Sequence, residues 1–165
     1  RLINEKGVSF LLVVVGDGPS EDTVKRLAEK ALGDRVMFTG GIPREDMVRM
    51  YSAADIFAFP GIGESLGMVY LEAQACGLPV VALNTAGVPQ VVQDLETGFL
   101  VPPADTKAMA EAIERLIHDP GLRAAMGHRA VRYVFDERNL HLNYSLLSRK
   151  IREILSCHAC NRPQP

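Results

Sequence analysis

Five short runs rich in β-branched and aromatic residues, at 10–15, 36–39, 56–59, 80–83 and 99–101, constrain this chain more than any other feature. The longer ones lack the polar alternation of a half-solvated strand. They read as strands buried on both faces, as in a parallel sheet. Amphipathic stretches at 21–32, 44–53 and 67–76 separate them. Strand and helix in strict alternation predict an α/β fold, a Rossmann-like parallel sheet with flanking helices and right-handed crossovers. Ser20 is placed to cap the first helix, Pro43 to open the second, and Gly77-Leu78-Pro79 to stop the third.

From Asp105 onward the pattern is helix only. Asp105, Asp119-Pro120 and Asp136 mark three starts, and the last helix carries Leu140, Tyr144, Leu147, Ile151 and Ile154 on one stripe. One domain over residues 1–155 and a frayed tail at 156–165 are expected. With 47% hydrophobic and 23% charged residues the composition is that of a globular protein and excludes disorder of the whole chain. A pI near 6.1 speaks against a dedicated nucleic-acid binder. The longest clean apolar run, residues 10–15, is too short to cross a bilayer. Three cysteines (Cys76, Cys157, Cys160) without a signal pattern suit the cytoplasm. Cys157-His158-Ala159-Cys160 has metal-like spacing but stands alone, so no metal site is expected. Charge is uneven. Residues 1–120 hold 10 basic and 17 acidic side chains, whereas residues 121–165 hold 8 and 3. The basic C-terminal third could make peripheral contact with an anionic membrane.

Ligands of open parallel sheets bind at the carboxyl ends of the strands. Four such ends carry glycine: Gly16-Asp17-Gly18-Pro19, Gly40-Gly41-Ile42-Pro43, residues 60–67, and Asn84-Thr85-Ala86-Gly87. Glycine lets backbone amides approach a ligand, and amides at helix starts favour phosphate. The nicotinamide fingerprint is broken, because Glu21 stands where Gly16-x-Gly18 needs a third glycine. Neither a phosphate-loop lysine motif nor a G-x-S-x-G nucleophile turn occurs. The third loop holds Glu64, and Glu72 follows eight positions on, read as two turns into the next helix. Side chains on a helix lean toward its start, so both acids can face the loop. Between them lie the free amides of Ser65, Leu66 and Gly67. A carboxylate can accept from two vicinal hydroxyls of a ribose or hexose.

Together with Phe38-Thr-Gly-Gly-Ile-Pro43, Ala75-Cys76-Gly77-x-Pro79-Val80-Val81, Gly87-x-Pro89 and Thr97-Gly98-x-Leu100-Val101-Pro102-Pro103, this segment resembles the C-terminal, nucleotide-sugar-binding domain of retaining GT-B glycosyltransferases, family 4 or group 1. The likeness runs from residue 1 to about 140. It implies that Glu72 binds the donor ribose and that Glu64 contacts the transferred sugar at its reacting face. Ser65, Leu66 and Gly67 would hold the sugar and distal phosphate. Arg1 and Lys6 match the basic pair that neutralises the diphosphate leaving group. Gly16, with Gly40, Gly41 and Ile42 of the loop that would face the base, completes the donor-binding set. The implied transition state is oxocarbenium-like, with charge growing on a phosphate oxygen that fixed cations and amides stabilise. No D-x-D occurs in the sequence, so transfer without a metal or other cofactor is the consistent reading. The partners implied are a nucleotide-diphospho-sugar donor and a glycan, lipid or small-molecule acceptor, with no nucleic acid. Without an acceptor-binding half, the chain alone is expected to be inactive. The rival readings are a sugar-nucleotide epimerase or hydrolase of the same fold, and a non-catalytic nucleotide-sugar-binding module.

Two departures accompany the likeness. Only Arg1-Leu2-Ile3 could remain of the central strand with which such a domain opens. Between Lys6-Gly7 and residues 10–15 there is no room for a crossover helix, since parallel neighbours need a dozen or more connecting residues. A segment missing near Val8–Phe10, either unseen or deleted, is therefore expected.

Overall fold

A computed structural model describes Ile3 and residues 8–160. Five strands are present among them: β1 (Leu12–Val14), β2 (Val36–Phe38), β3 (Phe57–Phe59), β4 (Val80–Leu83) and β5 (Gly98–Val101). The helices between and after them are α1 (Glu21–Leu32), α2 (Arg44–Ala53), α3 (Met68–Ala75), α4 (Thr106–His118), α5 (Pro120–Arg132) and α6 (Leu140–Cys160). All strand pairs are parallel, as the unalternating apolar runs predict. This is the Rossmann-like α/β architecture with a helical C-terminal end.

The core is centred on β4, whose four residues are all buried. Val80 and Ala82 pack on one side with Tyr70, Val88, Val91 and Val92. Val81, on the opposite pleat, packs with Phe99, Leu116 and Met126. Helices thus cover both faces, which is why the strand tolerates no polar residue. Asp105 and Asp119 cap α4 and α5, accepting from the Ala108 and Leu122 amides at 2.9 and 2.8 Å.

Several local expectations shift. Ser20 sits at the start of α1, but its side chain makes no capping bond. Pro43 stands just before α2 and not within its first turn. The start of α6 is capped by Asn139, which accepts from the Leu142 amide at 2.8 Å, and not by Asp136. Asp136 instead lies in a π-helical extension of α5, Tyr133–Glu137. The last helix continues to Cys160, past the boundary placed at residue 155, and residues 161–165 lie outside the described ones.

The larger difference concerns the sheet. Among the described residues it comes in two pieces, β1-β2 and β3-β4-β5. The resemblance implies the strand order 3-2-1-4-5-6, in which the opening strand stands between β1 and β3. No described residue occupies that position, so β1 and β3 each keep one edge without a ladder. The chain runs from Val8 through Ser9 and Phe10 directly into β1. No unseen segment interrupts it, and the crossover that was expected there is shortened in the chain itself. Arg1 and Lys6 lie outside the described residues.

Candidate donor-binding site

The loops that follow β1, β2, β3 and β4 make contact with one another in pairs. The Gly16 amide donates to the Gly40 carbonyl at 2.9 Å, joining the first two. Gly16 and Gly40 adopt positive φ of 119° and 66°, where a side chain would be strained. A Cβ on Gly41 would stand 2.9 Å from Asp17 Oδ2. Ile42 is half-buried and leads through Pro43 into α2. The other two loops meet where the Gly87 amide reaches the Glu64 carbonyl at 3.4 Å. A Cβ on Gly87 would lie 2.0 Å from the Ser65 carbonyl oxygen, so only glycine permits this approach.

Glu64 is half-buried and its Oε1 accepts from the Gly67 amide at 3.0 Å. Its carboxylate therefore sits at the positive end of α3. The Gly67 amide is thereby engaged. Among the described residues no partner is seen for the Ser65 and Leu66 amides. Gly67 has φ 69° and is buried, with Val91 Cγ2 2.7 Å from where a Cβ would be. Tyr70, fully buried one turn on, donates to the Phe59 carbonyl at 3.3 Å. Burial, then the Glu64 charge, raise its phenol above the ordinary value near 10.

Glu72 is the fifth residue of α3, one turn from the helix start and not two. Its Oε1 accepts from Arg44 Nη2 at 3.4 Å. Tyr51 of α2 stands beside it. Burial, then the nearby Glu72 charge, raises the Tyr51 phenol above the ordinary value near 10. Cys76 is half-buried against Tyr51, Ala73 and Leu78, as a small packing residue. Sequence reasoning did not single out Arg44 or Tyr51. The available signal was their spacing of seven, which puts them on one face of a helix that starts at a strand-end loop.

Two acids, two free amides and two glycine-paired loops thus gather at the carboxyl ends of the strands, where open sheets bind ligands. A surface cavity of about 300 Å³ lies elsewhere, near Asp55, Cys76 and Arg123, before β3 and β4 begin. It is on the opposite end of the sheet from this chemistry. The pair Arg1 and Lys6 cannot be placed with the rest, being outside the described residues.

Comparison with known proteins converges on one group. Residues 1–132 match the family model described as glycosyl transferases group 1. A GDP-mannose-dependent α-(1-6)-phosphatidylinositol monomannoside mannosyltransferase of Mycolicibacterium smegmatis is 44% identical over 124 residues, covering 70% of this chain and 32% of that protein. The crystal structure of Anabaena HepE in complex with UDP and glucose superimposes with a TM-score of 0.71 at 28% identity, over 89% of this chain and 40% of that one. The C-terminal domain of a group 1 glycosyltransferase from Francisella tularensis superimposes with a TM-score of 0.76 at 25% identity, over 84% of this chain and 75% of that one. The chain spans about a third of the length of the curated relatives it matches.

Proposed function

The chain belongs to the group 1 glycosyltransferases, and from that premise we propose that it is the donor-binding part of a retaining enzyme. It binds a nucleotide-diphospho-sugar and, with an acceptor-binding domain, transfers the sugar to an acceptor hydroxyl. What carries this reading is the gathering of Glu64, Glu72 and the free Ser65 and Leu66 amides around the start of α3. Amides at a helix start suit a phosphate, and the two flanking carboxylates suit sugar hydroxyls.

In this reading Glu72 accepts from the ribose hydroxyls, and Glu64 meets the transferred sugar. Its bond to the Gly67 amide holds the Glu64 carboxylate at the start of α3. Gly16, Gly40, Gly41 and Ile42 border the base. Arg1 and Lys6 neutralise the leaving diphosphate, which gains charge in the transition state. The mannosyltransferase relative makes GDP-mannose the first donor to try. The basic C-terminal third contacts an anionic membrane surface at its periphery. Support comes from α6, which exposes Leu140, Tyr144, Leu147, Ile151 and Ile154 beside Arg149, Lys150 and Arg152. No helix among the described residues is long and apolar enough to cross a membrane.

The test is calorimetry of the folded chain against GDP-mannose, UDP-glucose, GDP and UDP. Saturable binding of at least one, lost in Glu72→Gln, is the expected result. Binding of none by a chain with native circular dichroism overturns the reading.

A further inference from the structure

Tyr70 and Gln74 lie four apart on one face of α3, and both are 0% exposed. The donor-binding reading uses neither. Gln74 Nε2 donates to two carbonyls, that of Val91 at 2.8 Å and that of Tyr70 at 3.1 Å. The first bond crosses from α3 to the segment that follows the loop after β4. Gln74 Oε1 has no partner among the described residues. Burying that oxygen is a cost that an apolar side chain of the same length would avoid, so the amide contributes more to geometry than to stability.

The geometry in question is that of Gly67. A Cβ there would lie 2.7 Å from Val91 Cγ2 and 3.0 Å from Tyr70 Cδ2, so both side chains pack directly against its backbone. Tyr70 also reaches the other end of the same loop. Its hydroxyl donates to the Phe59 carbonyl at 3.3 Å, and a Cβ on Gly61 would stand 3.3 Å from the hydroxyl oxygen. Its ring meets those of Phe57 and Phe59 at centroid distances of 6.0 and 5.9 Å. One buried ring thus touches both ends of the loop that carries Glu64. Gly67 in turn donates its amide to Glu64 Oε1 at 3.0 Å. The Glu64 carboxylate is therefore held by a backbone group whose own place is set by Tyr70, Val91 and Gln74. An acceptor held before a ligand arrives loses less rotamer freedom on binding.

We propose that Tyr70 and Gln74 are positioning residues for Glu64, fixing Gly67 and with it the carboxylate that would meet the sugar of a nucleotide-diphospho-sugar. The inference rests on the donor-binding reading. It predicts that the sugar's share of donor affinity depends on two side chains buried behind the loop.

The test has two readouts on the 165-residue chain. The variants are Gln74→Met, which keeps the side-chain length, Tyr70→Phe, which keeps the ring, and Glu64→Ala. The first readout is amide exchange without ligand. In Gln74→Met and Tyr70→Phe the Gly67 amide should exchange roughly three- to tenfold faster, the size of one modest hydrogen bond, relative to Val81 and Ala82 of β4, which report any general loss of stability. The second is calorimetry with GDP-mannose and UDP-glucose, and with the nucleoside diphosphate of whichever binds. Both variants should weaken the nucleotide-sugar by a similar factor, leave the nucleoside diphosphate close to wild type, and weaken Glu64→Ala no further. Gly67 exchange that moves only in step with β4, unchanged nucleotide-sugar affinity, an equal loss for the nucleoside diphosphate, or additivity with Glu64→Ala overturns the inference alone. If the folded wild type binds neither nucleotide-sugar, the inference falls; if it binds no nucleotide at all, the donor-binding reading falls with it.

Discussion

Glycines decide where the loops of this site can meet. The sequence placed them at the strand ends, but it could not tell a glycine that serves a turn from one that serves a contact. Gly87 is of the second kind, with φ in an ordinary region and a neighbouring backbone oxygen where a Cβ would go. Gly98, quoted only as part of the Thr97–Pro103 motif, and Gly127, which drew no notice in the sequence, are alike: a Cβ would fall 2.1 Å from the Val80 oxygen and 2.2 Å from the Gly77 oxygen. Such contacts join residues far apart in the chain, so no local pattern announces them. Gly87→Ala should push the Glu64 loop away from the loop after β4. Overpacking of this sort costs about 1–3 kcal/mol, or roughly 2–12 °C in Tm for a domain of this size. Gly18→Ala, whose Cβ meets nothing within 4 Å, is the control and should melt near the wild type. Indistinguishable melting of Gly87→Ala in a thermal scan would mean that the two loops do not touch in solution.

At the scale of elements, the sequence identified every α-helix and strand described after residue 10, but most of the ends moved. Three predicted strands lost residues at their ends, residues 10–15 shortening to Leu12–Val14, whereas β4 kept its ends and β5 gained Gly98. A run of apolar residues reports burial, whereas a ladder needs a partner with matching backbone groups, and the two need not end together. Caps behaved the same way. Asp105 and Asp119 were readable because an acid directly precedes a long amphipathic stretch. Asp136 failed because the π-helical extension of α5 absorbed it, leaving Asn139 at the next helix start. The helix so begun, α6, keeps an apolar stripe in solvent, with Leu140 79% and Tyr144 70% exposed. Packing did not override the sequence pattern here; it left the stripe uncovered. If this helix meets an anionic membrane, the chain should sediment with phosphatidylserine-containing vesicles and much less with phosphatidylcholine ones. Arg149→Glu with Lys150→Glu should abolish the difference, and high salt should reduce it. Equal partition to both vesicle types would remove membrane charge from the account.

At the scale of the molecule, the parallel α/β architecture followed from alternation alone, while the break in its sheet followed from a shortage of connecting residues. The alternation fixes which elements form; continuity of the sheet depends on a strand that no described residue supplies. The two pieces are unequal as a result. β4 is flanked on both edges and covered on both faces, and all its residues are buried. Among the described residues β1 has one partner, of three residues, and Leu12 and Val13 are each 38% exposed. A two-stranded sheet gains little stability by itself, and apolar residues of a parallel strand are stabilised only where a layer covers them. Local opening should therefore cost much less in β1-β2 than in β4-β5. Native-state hydrogen exchange checks this directly. The Val14 and Met37 amides should exchange at least tenfold faster than those of Val81 and Ala82, a gap of about 1.4 kcal/mol or more in opening free energy. The same gap bears on the site, because the Gly16 and Gly40 loops ride on the weaker piece while Glu64 and Glu72 ride on the stronger. A bound nucleotide touching both would narrow the gap by protecting β1-β2 more than β4-β5. Uniform protection across all five strands without ligand would show that the two pieces fold as one sheet.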